Sequence, residues 1–150
     1  MSKTLMTILF SLAAACGGGK KSGTDGTTPG TGSAAPTSAS DSQATCVEVM
    51  NKNRECTTDF IPALVDIRAK HNNPEGIADA VKADRDKVIS QALAEWATDS
   101  KDEGIASTCQ KMAPGMTDAD AAAAKGCVAT AECPAYVACI SPMFDKQFAK

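Results

Sequence analysis

The sequence predicts an all-α domain over residues 45–150, a small disulfide-stapled bundle of about five to six helices. The first observation behind this prediction is composition: alanine is abundant, and the alternation of β-branched or aromatic residues that is typical of strands is absent. The second is a series of helix-start signals along the segment. The third is a set of six cysteines within it, enough for three disulfides.

Local signals place each helix in turn. Thr45-x-x-Glu48 and Ser100-x-x-Glu103 fit the capping box, Thr117-x-x-Asp120 is a weaker version, and Asn73-Pro74 fits an N-cap followed by proline at the first helical position. Thr58 or Asp59 can cap a helix that tolerates Pro62 in its first turn. The predicted helices cover about 45–55, 59–71, 74–98, 101–112, 118–129 and 132–140, with a last short piece over 142–149 after Ser141-Pro142.

The apolar faces of these helices are thin. One stripe begins at Phe60, and another runs along the longest helix from Ile77 to Trp96, which we expect in the core. The helix over 118–129 offers mostly alanine, which buries little area. A domain of this kind gains stability from covalent staples.

The predicted disulfide framework consists of Cys46, Cys56, Cys109, Cys127, Cys133 and Cys139. On continuous helices Cys46 and Cys56 are about 15 Å apart, and Cys133 and Cys139 about 9 Å apart, whereas a disulfide needs Cα atoms within about 7 Å. Both pairs are therefore excluded, and the other connectivities stay open. The first helix must then be joined by two bridges to the 109–139 region, and we expect it to pack beside the C-terminal helices.

Cysteines can also bind metals or do redox chemistry. Structural zinc sites favour C-x2–4-C pairs, which this sequence lacks, and neither a C-x-x-C redox pair nor a C-x-x-C-H haem motif is present. The sequence therefore predicts disulfides, with no metal and no cofactor apart from a covalent lipid discussed next.

Residues 1–15 have the pattern of an export signal. Lys3 and the free amine provide positive charge, and a short apolar run from Thr4 to Leu12 is followed by small residues. The run is too short to span a bilayer, which needs about 20 residues.

Ala13-Ala14-Ala15-Cys16, at the end of that run, resembles the lipobox of bacterial lipoproteins. In that family the cysteine thiol receives a diacylglyceryl group, the signal is cut before the cysteine, and the new amino terminus is usually acylated, for example with palmitate. The resemblance implies that Cys16 is the lipidated residue and anchors the chain to a membrane. Ordinary signal peptidase would cut the same bond and leave Cys16 unmodified, which is the alternative.

The segment of residues 16–44 is predicted to be the lipidated cysteine followed by a flexible linker rich in glycine, serine, threonine and proline. It has too little apolar surface to offset chain entropy, and its mean span is roughly 30 Å. In the lipoprotein family, Gly17 after the cysteine implies the outer membrane of the bacterial cell envelope.

The net charge of -3 gives no basic field for nucleic acid, so we expect no nucleic-acid partner. We expect a non-enzymatic binding or scaffold module for an unidentified protein, peptide or glycan. The alternative is a small secreted or periplasmic hydrolase that uses carboxylates near His71, the single histidine. His71 sits in a polar helix end, where a cation at the helix C-terminus is the commoner role, so no catalytic residue is assigned.

Overall fold

The all-α prediction is confirmed by a computed structural model, which describes residues 39–149. Within that range the chain forms six α-helices and one short 3-10 helix, without a strand. The helices are α1 (Ala39–Glu55), α2 (Thr57–Lys70), α3 (Ile77–Asp99), α4 (Asp102–Met112), α5 (Asp118–Val128) and α6 (Cys133–Phe148), and the 3-10 helix is Ala113–Gly115. None of the helices in this part of the chain is both long enough and apolar enough to cross a membrane.

The helices pack as two groups of three. In one group α2 lies between α3 and α6, and in the other α1 packs against α4 and α5. Contacts between α5 and α6, between α1 and α2, and between α3 and α4 join the groups. The prediction that the first helix packs beside the C-terminal helices is confirmed for α4 and α5.

The core differs between the two groups. Around α2 it is aromatic, because the Phe60 ring centroid lies 5.7 Å from that of Trp96 and 5.5 Å from that of Phe144. Trp96 is buried, as expected. Between α1, α4 and α5 the buried side chains are not aromatic: Met50 and Ile105 lie there with Ala121 and Ala124 of α5. The alanines bury little apolar area, so the disulfide of this group matters more.

The first helix begins at Ala39, so residues 39–44 belong to the helical domain and not to the predicted linker. Thr45 does not cap the helix, and the capping box with Glu48 is wrong. The Thr45 hydroxyl instead donates to the carbonyl of Asp41 at 2.8 Å, one turn back, and Thr45 and Ser42 are both buried. The bundle covers a polar segment that composition alone assigned to the linker.

The capping box of Ser100 and Glu103 is also wrong. Ser100 ends α3, its N–H donating to Trp96 O at 2.8 Å, and Lys101 becomes the N-cap of α4. The Ser100 carbonyl accepts a hydrogen bond from Arg54 at 3.0 Å, so a tertiary contact fixes the chain there. The predicted cap at Thr117 is confirmed, because Thr117 Oγ1 accepts a hydrogen bond from the Asp120 N–H at 3.1 Å.

The start of α3 lies at Ile77, later than the predicted Asn73-Pro74 cap. The Asn73–Pro74 peptide is cis. The helix is capped instead by the side chain of Asn72. Asn72 Oδ1 accepts from the N–H groups of Gly76 at 2.9 Å and Ala78 at 3.3 Å. Gly76 has φ of 90°, a left-handed conformation that favours glycine.

The long helix is interrupted at Asp84, which has φ −161° and ψ 85°. Its Oδ1 accepts from the Lys87 N–H at 3.0 Å, so Asp84 acts as an N-cap for the second half of α3. Arg85 then binds Asp66 of α2 through two hydrogen bonds of 2.9 and 2.7 Å. The charged residues of this segment are exposed.

The predicted break at Ser141-Pro142 is wrong, because α6 continues through it to Phe148. Proline lacks the N–H that would bond to Ala138 O, and Ala138 is exposed, so water can satisfy that carbonyl. The Ser141 hydroxyl donates to Val137 O at 2.7 Å, and Phe144 packs on Phe60 just beyond the proline. Packing on both sides holds the helix together.

Candidate functional site

The six domain cysteines form three disulfides, Cys46–Cys109, Cys56–Cys133 and Cys127–Cys139. The first joins α1 to α4, the second joins the α1–α2 junction to the start of α6, and the third joins α5 to α6. Their Cα–Cα distances are 5.5, 5.2 and 5.5 Å. Neither excluded pair forms, and two bridges join the first helix region to the C-terminal half, as predicted.

These bonds differ in exposure. Cys56 and Cys109 are fully buried, and Cys46 and Cys127 are buried with 4% and 3% exposure. Cys139, in contrast, is exposed on α6. Across residues 39–149 no cluster of histidine, cysteine or carboxylate side chains could hold a metal ion.

A buried polar network joins α1 to α6. The Tyr136 hydroxyl donates to Asn53 Oδ1 at 2.7 Å and to Val49 O at 3.3 Å, and both Tyr136 and Asn53 are fully buried. The Asn53 amide nitrogen has no hydrogen-bond partner among the described residues. Burial raises the pKa of the Tyr136 phenol above its ordinary value, with a smaller contribution from the Glu55 carboxylate.

A second polar contact connects α3 to the junction of α1 and α2. Trp96 Nε1 donates to Thr57 Oγ1 at 3.0 Å, and the same hydroxyl donates to Arg54 O at 2.6 Å. The buried indole is therefore satisfied at its polar edge, which identifies Trp96 as a core residue.

His71 lies at the end of α2 and meets a carboxylate that sequence reasoning did not find. His71 Nε2 is 2.7 Å from Asp145 Oδ1, and Lys70 Nζ donates to both Asp145 oxygens at 2.8 Å. The hydrogen bond from Lys70 first, and that from His71 second, hold the pKa of Asp145 below its ordinary value. This cluster ties the end of α2 to the last turns of α6.

Arg68 extends the same junction into the interior. Its guanidinium lies 5.1 Å from the centroid of the Phe148 ring, and only 6% of the residue is exposed. Burial lowers the pKa of Arg68 from its ordinary value, and the Glu95 carboxylate partly offsets this. The arrangement is a cation–π contact that covers the end of the aromatic core.

A shallow groove of about 380 Å³ lies between α1 and α4. It is lined by Val47, Asn51, Arg54, Asp102, Ile105 and Ala106. Arg54 crosses it and contacts Asp102 Oδ1 at 2.7 Å and Asn51 Oδ1 at 3.0 Å. The groove is separate from His71, so the histidine–carboxylate pair does not open into it.

The residues that carry the export and anchoring prediction, including Cys16, lie outside the described residues. The chain matches no protein-family model, no curated protein and no solved structure.

Proposed function

We propose that this protein is exported and anchored by a lipid on Cys16 to the bacterial cell envelope, on the outer membrane. Its helical domain serves as a non-enzymatic binding or scaffold module that the linker holds clear of the membrane surface. The partner of this module is a protein, a peptide or a glycan.

The observation that carries the proposal is the pairing of the cysteines. Six of the seven cysteines are used in three disulfides within the domain. Disulfides of this density persist in oxidising compartments outside the cytosol. No domain cysteine is left for Cys16, and an unmodified odd thiol in such a compartment would be reactive. Acylation of the Cys16 thiol explains why it needs no disulfide partner and leaves no reactive thiol.

The polar clusters support a binding or scaffold role over catalysis. Each of them connects helices: Asp145 binds both Lys70 and His71, and Tyr136 binds α1. A general base needs access to a substrate in a cleft. The groove described above is instead lined by α1 and α4.

The test is metabolic labelling of the full chain in a Gram-negative host with a clickable palmitate analogue, followed by membrane fractionation. We expect the wild-type chain to be labelled and to enter the outer-membrane fraction. Cys16→Ser should lose the label, whereas Ser22→Ala in the linker should keep it. An unlabelled wild-type chain in the soluble fraction would contradict the anchor.

One observation favours the second candidate, a secreted hydrolase: the 2.7 Å contact of His71 and Asp145 resembles a base held by a carboxylate. Purified wild type and His71→Gln can be compared on a panel of ester, amide and glycoside substrates. Turnover that is abolished by His71→Gln, with the fold retained by circular dichroism, would support the hydrolase.

A further inference from the structure

The three disulfides share a feature of chain order. In sequence the cysteines follow one another as Cys46, Cys56, Cys109, Cys127, Cys133 and Cys139. No native bond joins two neighbours in this series, since each skips at least one cysteine. The first two bonds also interleave, because the chain between the ends of the first contains one end of the second.

Loop closure opposes this pairing in an unfolded chain. The native bonds join residues 63, 77 and 12 positions apart. The three consecutive pairs would instead close loops of about 10, 18 and 6 residues, and the closure probability falls as about the 3/2 power of loop length. The consecutive set is thereby favoured over the native set by roughly 400-fold in the unfolded chain.

We propose that the native disulfides form through thiol–disulfide isomerisation, and that the misoxidised chain is a substrate of a dithiol isomerase. The partner is identified by its chemistry, a reactive thiolate that attacks non-native disulfides and is regenerated. The proposal rests on the disulfide pairing and on an oxidising compartment, and it is independent of the lipid on Cys16.

The exchange can start at the consecutive bond Cys46–Cys56. The isomerase thiolate attacks the Cys46 sulfur, which forms a mixed disulfide and releases the Cys56 thiolate. That thiolate attacks the Cys133 sulfur of Cys133–Cys139. The native bond Cys56–Cys133 forms, and the Cys139 thiolate leaves.

The remaining steps close the cycle. The Cys139 thiolate attacks Cys127 in the bond Cys109–Cys127, which forms the native Cys127–Cys139 bond and releases the Cys109 thiolate. Cys109 then attacks Cys46 in the mixed disulfide, which forms Cys46–Cys109 and returns the isomerase thiolate. Three protein disulfides enter and three leave, so no oxidant or reductant is consumed.

Folding gives the exchange its direction. Once α1 forms, Cys46 lies within it and Cys56 directly follows its last residue, and once α6 forms it carries both Cys133 and Cys139, so neither pair can bridge. Burial of both ends of Cys46–Cys109 then shields that bond from thiolate attack. Cys133 is half-buried and Cys139 is exposed, so each of the other two bonds keeps one end less protected, and the short-loop bond is the more accessible of the two.

The first test is oxidative refolding of the full chain carrying Cys16→Ser, so that no odd thiol is left to catalyse exchange once the six domain cysteines are oxidised. The reduced chain is diluted from denaturant into buffer with diamide, and connectivity is mapped by peptide mass spectrometry. We expect consecutive bonds to accumulate and to persist until glutathione and protein disulfide isomerase are added, after which the native set replaces them. Native bonds as the main product of diamide alone would overturn the proposal.

Two matched variants test the pairing order directly. Removing the bond Cys56–Cys133 by alanine substitution at both ends leaves two native bonds that are consecutive, and loop statistics give about two thirds native pairing. Removing Cys127–Cys139 in the same way leaves the two interleaved bonds, for which the native fraction is about 1%. Both variants also carry Cys16→Ser, so that four cysteines remain, and both are oxidised in denaturant with diamide, so folding stability does not affect the pairing. Equal native fractions in the two variants would overturn the inference.

Discussion

Replacing Tyr136 by phenylalanine removes one oxygen atom from the buried contact between α1 and α6. That hydroxyl donates to Asn53 Oδ1 at 2.7 Å and to Val49 O at 3.3 Å. Asn53 is fully buried, so its amide oxygen cannot turn to water when the donor is lost. An unsatisfied buried acceptor costs about 1–3 kcal/mol, and we expect a loss of about 2 kcal/mol in the free energy of unfolding.

The assay is thermal and urea unfolding of the oxidised domain. A loss of about 2 kcal/mol lowers Tm by roughly 8 °C in a domain of about 110 residues. Ser107→Ala, an exposed substitution on α4, is the control and should change stability by less than about 0.5 kcal/mol. Combining Tyr136→Phe with Asn53→Leu should recover part of the loss, since both polar partners are then replaced by apolar groups.

The pH dependence gives a second measurement of the same residue. Because burial raises the pKa of Tyr136 in the folded chain, its contribution to stability is complete below the unfolded pKa of about 10. Above that pH the unfolded chain loses the proton first, so stability falls as the pH rises through the folded pKa. The sequence contains one tyrosine, so tyrosinate absorbance reports this residue alone.

Two results would contradict a buried, hydrogen-bonded Tyr136. One is a Tyr136→Phe variant whose stability lies within about 0.5 kcal/mol of the wild type, as for a surface substitution. The other is a folded chain in which Tyr136 ionises with an ordinary pKa, because an unshifted pKa would mean that the phenol is exposed to water.

Two further predictions concern helix packing and charge. A Cβ at Gly104 would collide with the Asp99 carbonyl oxygen, whereas one at Gly126 meets no atom of another element within 4 Å. Gly104→Ala should therefore lower Tm. Gly126→Ala should raise the free energy of unfolding, measured in urea, by about 0.5–1 kcal/mol. Equal effects of the two substitutions would contradict the different surroundings of the two glycines. Asp145→Asn should destabilise the domain at pH 7, because the lowered pKa of Asp145 makes its ionised form a stabilising one. The difference from wild type should close as the pH falls below about 4, and a difference that persists unchanged at lower pH would show another cause.

Local sequence signals were enough for the helical class, because alanine content and cap residues act within a few positions. They failed where tertiary contacts decide the boundary. Thr45 is buried inside α1, and the Ser100 carbonyl is held by Arg54 from 46 positions away, so neither residue starts a helix. Pro142 continues a helix because packing on both sides outweighs its missing N–H.

The polar sites were less predictable than the fold. Asp145 is 74 positions from His71, and Tyr136 is 83 positions from Asn53, and no local pattern connects either pair. The cysteines were the exception, because helix geometry removed two pairings before the fold was known. The choice among the remaining pairings required the packing of α1 against α4 and of α5 against α6.

The central claim is that Cys16 carries the anchor while the other six cysteines are paired. It is tested most directly by intact mass spectrometry of the mature chain from the membrane fraction, alkylated before and after reduction. We expect a chain that starts at Cys16, is heavier by its acyl chains, takes up no alkylating reagent before reduction, and takes up six equivalents afterwards. An unacylated chain with an alkylatable Cys16, or domain thiols that react before reduction, would contradict the account.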